Sequence, residues 1–208
     1  IATVSWTNNG NNTEGGTQYQ VRFSTNPQMV GASVSTYTFT STLTEISTGC
    51  YNLTPNTTYY SQVRAVNFAG IVSNWTGQVS TITFATSPGS FRYTDLGVNI
   101  ATVSWTAASG ADKYQILFST NPQMVGGTVT TYTLTDLTTG LYNLTANTTY
   151  YAQIRSLNYA SVASSWTATV STITFATVPG SFRYTDLGVN IATVSWTNNG
   201  NNTEGGTQ

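Results

Sequence analysis

The segment IATVSWTNNGNNTEGGTQ occupies residues 1–18 and returns letter for letter at residues 191–208, an offset of 190 residues. A stretch that recurs unchanged at a fixed spacing marks a repeat array, built by stacking one unit many times. A shorter period lies inside the long one. SFRYTDLGVNIATVSWT occurs at 90–106 and at 181–197, 91 residues later. FSTNPQMVG occurs at 23–31 and 118–126, and STITFAT at 80–86 and 171–177. Two related modules therefore alternate in the order A, B, A, each of a size that suits one small domain. They differ mainly in two loops. Residues 8–18 of the first correspond to the shorter 107–113 of the second, and residues 41–48 to 136–139.

The pattern inside a module is that of strands. Ala2, Val4 and Trp6 alternate with Thr3 and Ser5, and Tyr19, Val21 and Phe23 alternate with Gln20, Arg22 and Ser24. In the segment from Tyr59 to Ala65, Gln62 and Arg64 take the face opposite Tyr59, Val63 and Ala65. Such short period-two runs, broken by Gly, Asn, Pro and Ser clusters, predict an antiparallel β sandwich. A Thr-rich, β-branched composition points the same way, and no amphipathic helix is found. The joints Thr86-Ser87-Pro88-Gly89 and Thr177-Val178-Pro179-Gly180 are short and carry proline, so they are expected to be stiff. Strands of this length suggest domains about 30–35 Å long, or about 60–75 Å for a pair in line.

At Leu53–Gly70 the residues LTPNTTYYSQVRAVNFAG resemble the corner and F strand of a fibronectin type III domain. Leu53, Pro55, Thr57, Tyr59, Val63, Ala65, Asn67 and Gly70 match that family's pattern. The VSW at 4–6, 103–105 and 194–196 resembles its B strand with the core tryptophan. The second module keeps Leu144, Thr148, Tyr150, Ile154 and Asn158, but has Ala146, Ser156 and Ser161 in place of Pro, Ala and Gly. These departures bear on the tight turns. The resemblance implies an all-β fold: tandem fibronectin-type-III-like antiparallel β sandwiches with Greek-key connections. It implies structural core roles for Trp6, Trp105, Trp196, Leu53, Tyr59, Leu144 and Tyr150, with the corner tyrosine bonding its hydroxyl to backbone. On this template residues 1–86 form a domain lacking strand A and residues 87–177 a complete domain. Residues 178–208 are the start, strands A and B, of a third domain of the first type. Strand A is placed at Ser90–Leu96 and again at Ser181–Leu187. Without it the first module would leave a Trp-lined edge open, so the missing strand is expected in sequence preceding Ile1.

Chemistry is sparse. The chain has no histidine, a single lysine (Lys113) and a single cysteine (Cys50). Nucleophile–histidine sites and His/Cys metal sites are thereby excluded. Cys50 aligns with Leu141 and is expected to be a small buried strand residue. Glu14, Glu45, Asp95, Asp112, Asp136, Asp186 and Glu204 are scattered, and no pair forms the two-carboxylate site of a glycosidase. Asp95 and Asp186 stand in the turn TDLG and are read as stabilising it. Lys113, in a loop and alone in its module, gives no lysine for a core cross-link. No enzyme activity and no cofactor are expected.

Only 6% of residues are charged and the net charge is −1. That excludes steering toward nucleic acid or anionic lipid. No apolar run approaches the ~18 residues that span a bilayer, so no membrane insertion is expected. The surface must be Thr, Ser, Asn and Gln, which favours side-by-side association or a sugar coat. Sequons begin at Asn11, Asn52, Asn56, Asn74, Asn143, Asn147 and Asn201. Asn56 and Asn147 in the corner loop, with Asn11 and Asn201 in the long loop, are the candidate glycan acceptors. Asn52 and Asn143 are placed in a strand beside a core leucine. Tyr60 and Tyr151 are expected to face outward, and Tyr37 and Tyr132 lie in a Thr-rich strand. Such aromatics can stack sugars or pack neighbouring chains, or simply pair across strands.

Together these features predict a structural repeat segment of an extracellular or cell-surface fibre, stalk or filament. Its partners would be neighbouring copies of the repeat, in the same or adjacent chains. The alternative is an adhesin or carbohydrate-binding module.

Overall fold

The structure, a computed structural model, describes residues 1–11, 16–41, 43–126 and 129–200. Every regular element among them is a β-strand. The chain divides into two compact units, residues 1–85 with 158–162, and residues 86–157 with 163–208.

In the first unit β1 (Ala2–Thr7) pairs antiparallel with β4 (Glu45–Cys50), from Ala2↔Cys50 to Thr7↔Glu45. A second sheet runs in the order β3 (Ser35–Ser41), β2 (Thr17–Ser24), β5 (Thr58–Val66), β6 (Val79–Ile82). Alternate residues of each strand turn inward. Tyr19, Val21 and Phe23 of β2 are buried, as are Ile46 and Cys50 of β4. Burial also holds the Cys50 thiol above its ordinary pKa, which keeps it a neutral core group. Trp6 packs at 5.6 Å from Tyr19 and 5.5 Å from Phe39, ring centre to ring centre. It is only half-buried, since β1 has no strand on its other side among the described residues.

The second unit holds a complete sandwich. One sheet is β11 (Thr138–Tyr142), β8 (Ile100–Thr106), β7 (Gly89–Leu96). The other is β10 (Thr130–Leu134), β9 (Lys113–Ser119), β12 (Thr149–Leu157), β13 (Val170–Ile173). The chain lays β7 and β8 in one sheet and β9 and β10 in the other. It then returns for β11 and crosses again for β12 and β13, a Greek-key path. Ala101, Val103 and Trp105 of β8 face Tyr114, Ile116 and Phe118 of β9 in one cluster with Leu141, Tyr150 and Ile154. Here strand β7 is present, and its Phe91 stands 6.3 Å from Trp105, which is buried. In the first unit Phe39 of the facing sheet packs on Trp6, at the position that Leu134 holds in the second.

β14 (Gly180–Leu187) and β15 (Ala192–Thr197) repeat the β7–β8 pairing, with register shifts at the same places. They group with the second unit, because two strands alone enclose no core. Trp196 of β15 is 60% exposed. A tryptophan is buried by the facing sheet, and no strand among the described residues faces β15. Two placements differ from the sequence expectation. Lys113 opens strand β9 instead of lying in a loop, 3.5 Å from Asp112. Asn52 and Asn143 lie past the ends of β4 and β11 with φ of 57° and 58°, exposed in turns rather than in strands.

Candidate functional site

The corner before the F strand is built the same way in both sandwiches. The Tyr59 hydroxyl accepts the Thr54 backbone N–H at 3.0 Å, and the Tyr150 hydroxyl accepts that of Thr145 at 2.9 Å. Thr57 donates to the Pro55 carbonyl and Thr148 to the Ala146 carbonyl, both at 3.0 Å. Thr83 and Thr174 close the corner by accepting the Thr57 and Thr148 N–H groups at 3.0 Å. Ala146 thus replaces Pro55 with no change in bonding, since the carbonyl is what the corner uses. Leu144 is buried beside this corner in the second sandwich, and Leu53 is half-buried in the first.

The turn after the F strand is also duplicated. Asn67 Oδ1 accepts from Ala69 N at 3.0 Å and Ile71 N at 2.8 Å; Asn158 Oδ1 accepts from Ala160 N at 3.0 Å and Val162 N at 2.8 Å. Where the first turn has Gly70 at φ 79°, the second holds Ser161 at φ 60°. The turn survives the loss of glycine because the asparagine bonds fix it.

A third feature joins outward-facing Gln and Arg residues to Trp75 and Trp166, two tryptophans that the sequence pattern does not single out. The Arg22 and Arg64 guanidinium groups lie over the Trp75 ring, at 4.3 and 4.4 Å from its centre. Arg22 donates to Gln62 Oε1 and Arg64 to Gln20 Oε1, the latter at 2.7 Å. In the second sandwich Arg155 covers Trp166 at 4.3 Å and donates to Gln115 Oε1 at 2.8 Å. The tryptophans are held by a strap, Ser73–Thr76 in one and Ser164–Thr167 in the other. Ser73 accepts Ala65 N and Thr76 accepts Val63 N; Ser164 and Thr167 do the same for Ser156 N and Ile154 N. The signal in the sequence is the repeated Ser-x-Trp-Thr set against alternating Gln and Arg on the F strand.

The candidate glycan acceptors fall in different settings. Asn11 is exposed, with Nδ2 donating to the Asn8 carbonyl at 2.7 Å. Asn56 and Asn147 are half-buried at φ 48° and 50°. Asn201 lies outside the described residues. Asn74 is exposed on the strap. The aromatic candidates are less free than expected. Tyr37 stacks on Phe23 and Tyr132 on Phe118, at 5.6 Å in each case. Tyr60 and Tyr151 are half-buried rather than turned fully outward. Asp95 Oδ1 accepts Leu96 N at 2.9 Å at the irregular end of β7. Among the described residues no three His, Cys, Asp or Glu side chains come together.

One depression stands out in the first unit. It has a volume of about 720 Å³ and lies between the long loop (Asn11, Gly16) and the turn carrying Asn67, Phe68 and Ile71. Phe68 is 78% exposed at its side.

No protein-family model matches the chain, and no curated protein does. Solved structures do. The chain is similar to the FN1–FN3 domains of chicken CNTN1, with 19% identity and a TM-score of 0.40 over 77% of this chain and 54% of that one. The chain thus spans about half the length of that structure. It is similar to FN3tt, with 21% identity and a TM-score of 0.37, over 44% of this chain and 95% of that one. The FN5 domain of Drosophila Lar matches with 17% identity and a TM-score of 0.39, over 45% of this chain and 99% of that one. Strand order and the bonded corner tyrosines are the chain's own grounds for the fold: these are fibronectin-type-III-like β sandwiches in tandem.

Proposed function

We propose that the chain is a structural segment of an extracellular fibre, stalk or filament, in which each sandwich does the same mechanical work and no reaction is catalysed. The observation that carries this reading is duplication at two levels. Long stretches repeat letter for letter, and the corner, the turn and the tryptophan strap repeat bond for bond. Sites that bind different partners diverge, whereas load-bearing units gain from remaining alike. A surface of Thr, Ser and Asn with few charges suits a chain outside the cell, where glycans on Asn11, Asn56, Asn147 or Asn201 could coat it. Electron microscopy of a longer array tests the reading. Filaments with an axial repeat of about 60–75 Å per pair of modules support it; dispersed, non-filamentous particles overturn it.

A second reading, an adhesin or carbohydrate-binding module, is favoured by the depression beside Phe68. An exposed aromatic next to amide side chains is the chemistry that stacks and bonds a sugar ring. Saturable binding on a glycan array, lost in Phe68→Ala, selects this reading; no binding removes it.

A further inference from the structure

Every open sheet has edges whose backbone groups invite another strand, and soluble proteins blunt them with charges, prolines, bulges or short length. The edges of these sandwiches differ in this respect. β7 carries Arg92 and Asp95 and two register shifts. β6 and β13 have four residues each. β4 begins at Glu45. The free side of β1 corresponds to the side on which the identical run in β8 takes β7. β3 has none of these devices. It is seven residues long, STYTFTS, and pairs with β2 without a break from Thr17↔Ser41 to Phe23↔Ser35. No charged residue occurs between Arg22 and Glu45, and no proline between Pro27 and Glu45. Its outer side meets no strand among the described residues.

We propose that the free edge of β3 is an association surface whose partner is the β3 edge of a second copy of this chain, joining two four-stranded sheets into one. The edge is self-complementary. An antiparallel pairing on a two-fold axis through Thr38 sets Thr36 against Thr40 and Thr38 against its own copy on the outer face. On the inner face it sets Tyr37, still 43% exposed, against Phe39 of the second copy. Aromatic pairs directly across strands stabilise a sheet, and a two-fold contact uses the same patch on both partners. Charge does not oppose the approach. The nearest charged side chain on this face, Arg22, is turned onto Trp75 and Gln62, and the chain's net charge is −1. The second sandwich offers an uncharged counterpart in β10, TTYTL.

The pairing stands on the chemistry of the edge and not on the fibre reading. Chains that pair laterally without forming filaments keep it, and filaments of single chains lose it. The test uses the 208-residue chain in sedimentation velocity across a concentration series, with hydrogen exchange on the same samples. The expected result is a rise from the mass of one chain toward that of two, with backbone N–H protection gained within residues 35–41. Thr38→Lys places two like charges directly opposite and should hold the chain at single mass, with an unchanged circular dichroism spectrum. Thr38→Glu should do the same, and an equal mixture of the two variants should recover the double mass. A chain of single mass at all concentrations overturns the proposal. So does association that both variants retain, or a mixture that stays single.

Discussion

The hydroxyl of Tyr150 accepts the backbone N–H of Thr145, five residues earlier, at 2.9 Å. The ring stays in the core, and this bond ties the corner to the strand that follows. In Tyr150→Phe the ring remains and the N–H loses its partner. The expected loss is about 1 kcal/mol, the usual net worth of one such bond. Urea unfolding of the variant against the parent measures it. Faster exchange at the Thr145 amide, with Thr54 unchanged, locates it.

Ser161 holds φ 60° where Gly70 holds φ 79°. A left-handed conformation costs a non-glycine residue about 1–2 kcal/mol, while glycine costs about 0.5–1 kcal/mol through the freedom it has when unfolded. Ser161→Gly should therefore stabilise the chain by about 0.5–1 kcal/mol, and Gly70→Ser should destabilise it by a similar amount. Both are read from urea midpoints. Equal signs for the two would show that the asparagine bonds, not the dihedral, decide the turn.

Much of this was legible in the sequence because it is local. Period-two alternation placed the inward residues of β1 and β2, and the resemblance of Leu53–Gly70 to a fibronectin type III corner placed the corner tyrosine. What escaped depends on distant partners. Trp75 meets Arg22 and Arg64 across an irregular strap with no period to read. Asn52 reads as a strand residue beside Leu53, but β4 ends at Cys50 and the chain turns through φ 57°.

Burial, and secondarily the nearby Tyr150, push the Tyr93 phenol well above the ordinary tyrosine value of 10.0. Its hydroxyl donates to the Tyr150 carbonyl at 3.4 Å. The sign follows from linkage. Above pH 10 the unfolded chain releases this proton while the folded chain keeps it, so stability is complete below pH 10 and falls as pH rises further. The slope is at most about 1.4 kcal/mol per pH unit. Tyr93→Phe should flatten this alkaline limb in urea melts taken between pH 9 and 11. An unchanged limb would show that other groups set it.

Position 22 of the first sandwich and position 117 of the second occupy the same place on their strands, yet one is arginine and the other leucine. Trp75 is accordingly covered by two arginines, Arg22 and Arg64, while Trp166 is covered by Arg155. The two arginines on Trp75 should be unequal in importance. Arg64 has the counterpart Arg155, and each donates to the glutamine across from it, Gln20 or Gln115. Arg22 is the addition. Arg22→Leu copies the second sandwich, keeps apolar cover on the sheet, and should lower stability by no more than about 0.5 kcal/mol, the low end for an exposed cation–π contact. Arg64→Ala removes the cation, its bond to Gln20 and the stem over the ring, and should cost about 1–2 kcal/mol. The strap reports which arginine matters. Its Ser73 and Thr76 amides bond the F strand at Ala65 and Val63, and they should lose exchange protection in Arg64→Ala but not in Arg22→Leu. Equal loss in both variants would mean that the two arginines act as one stack, and that the single arginine on Trp166 leaves the second strap the weaker of the two.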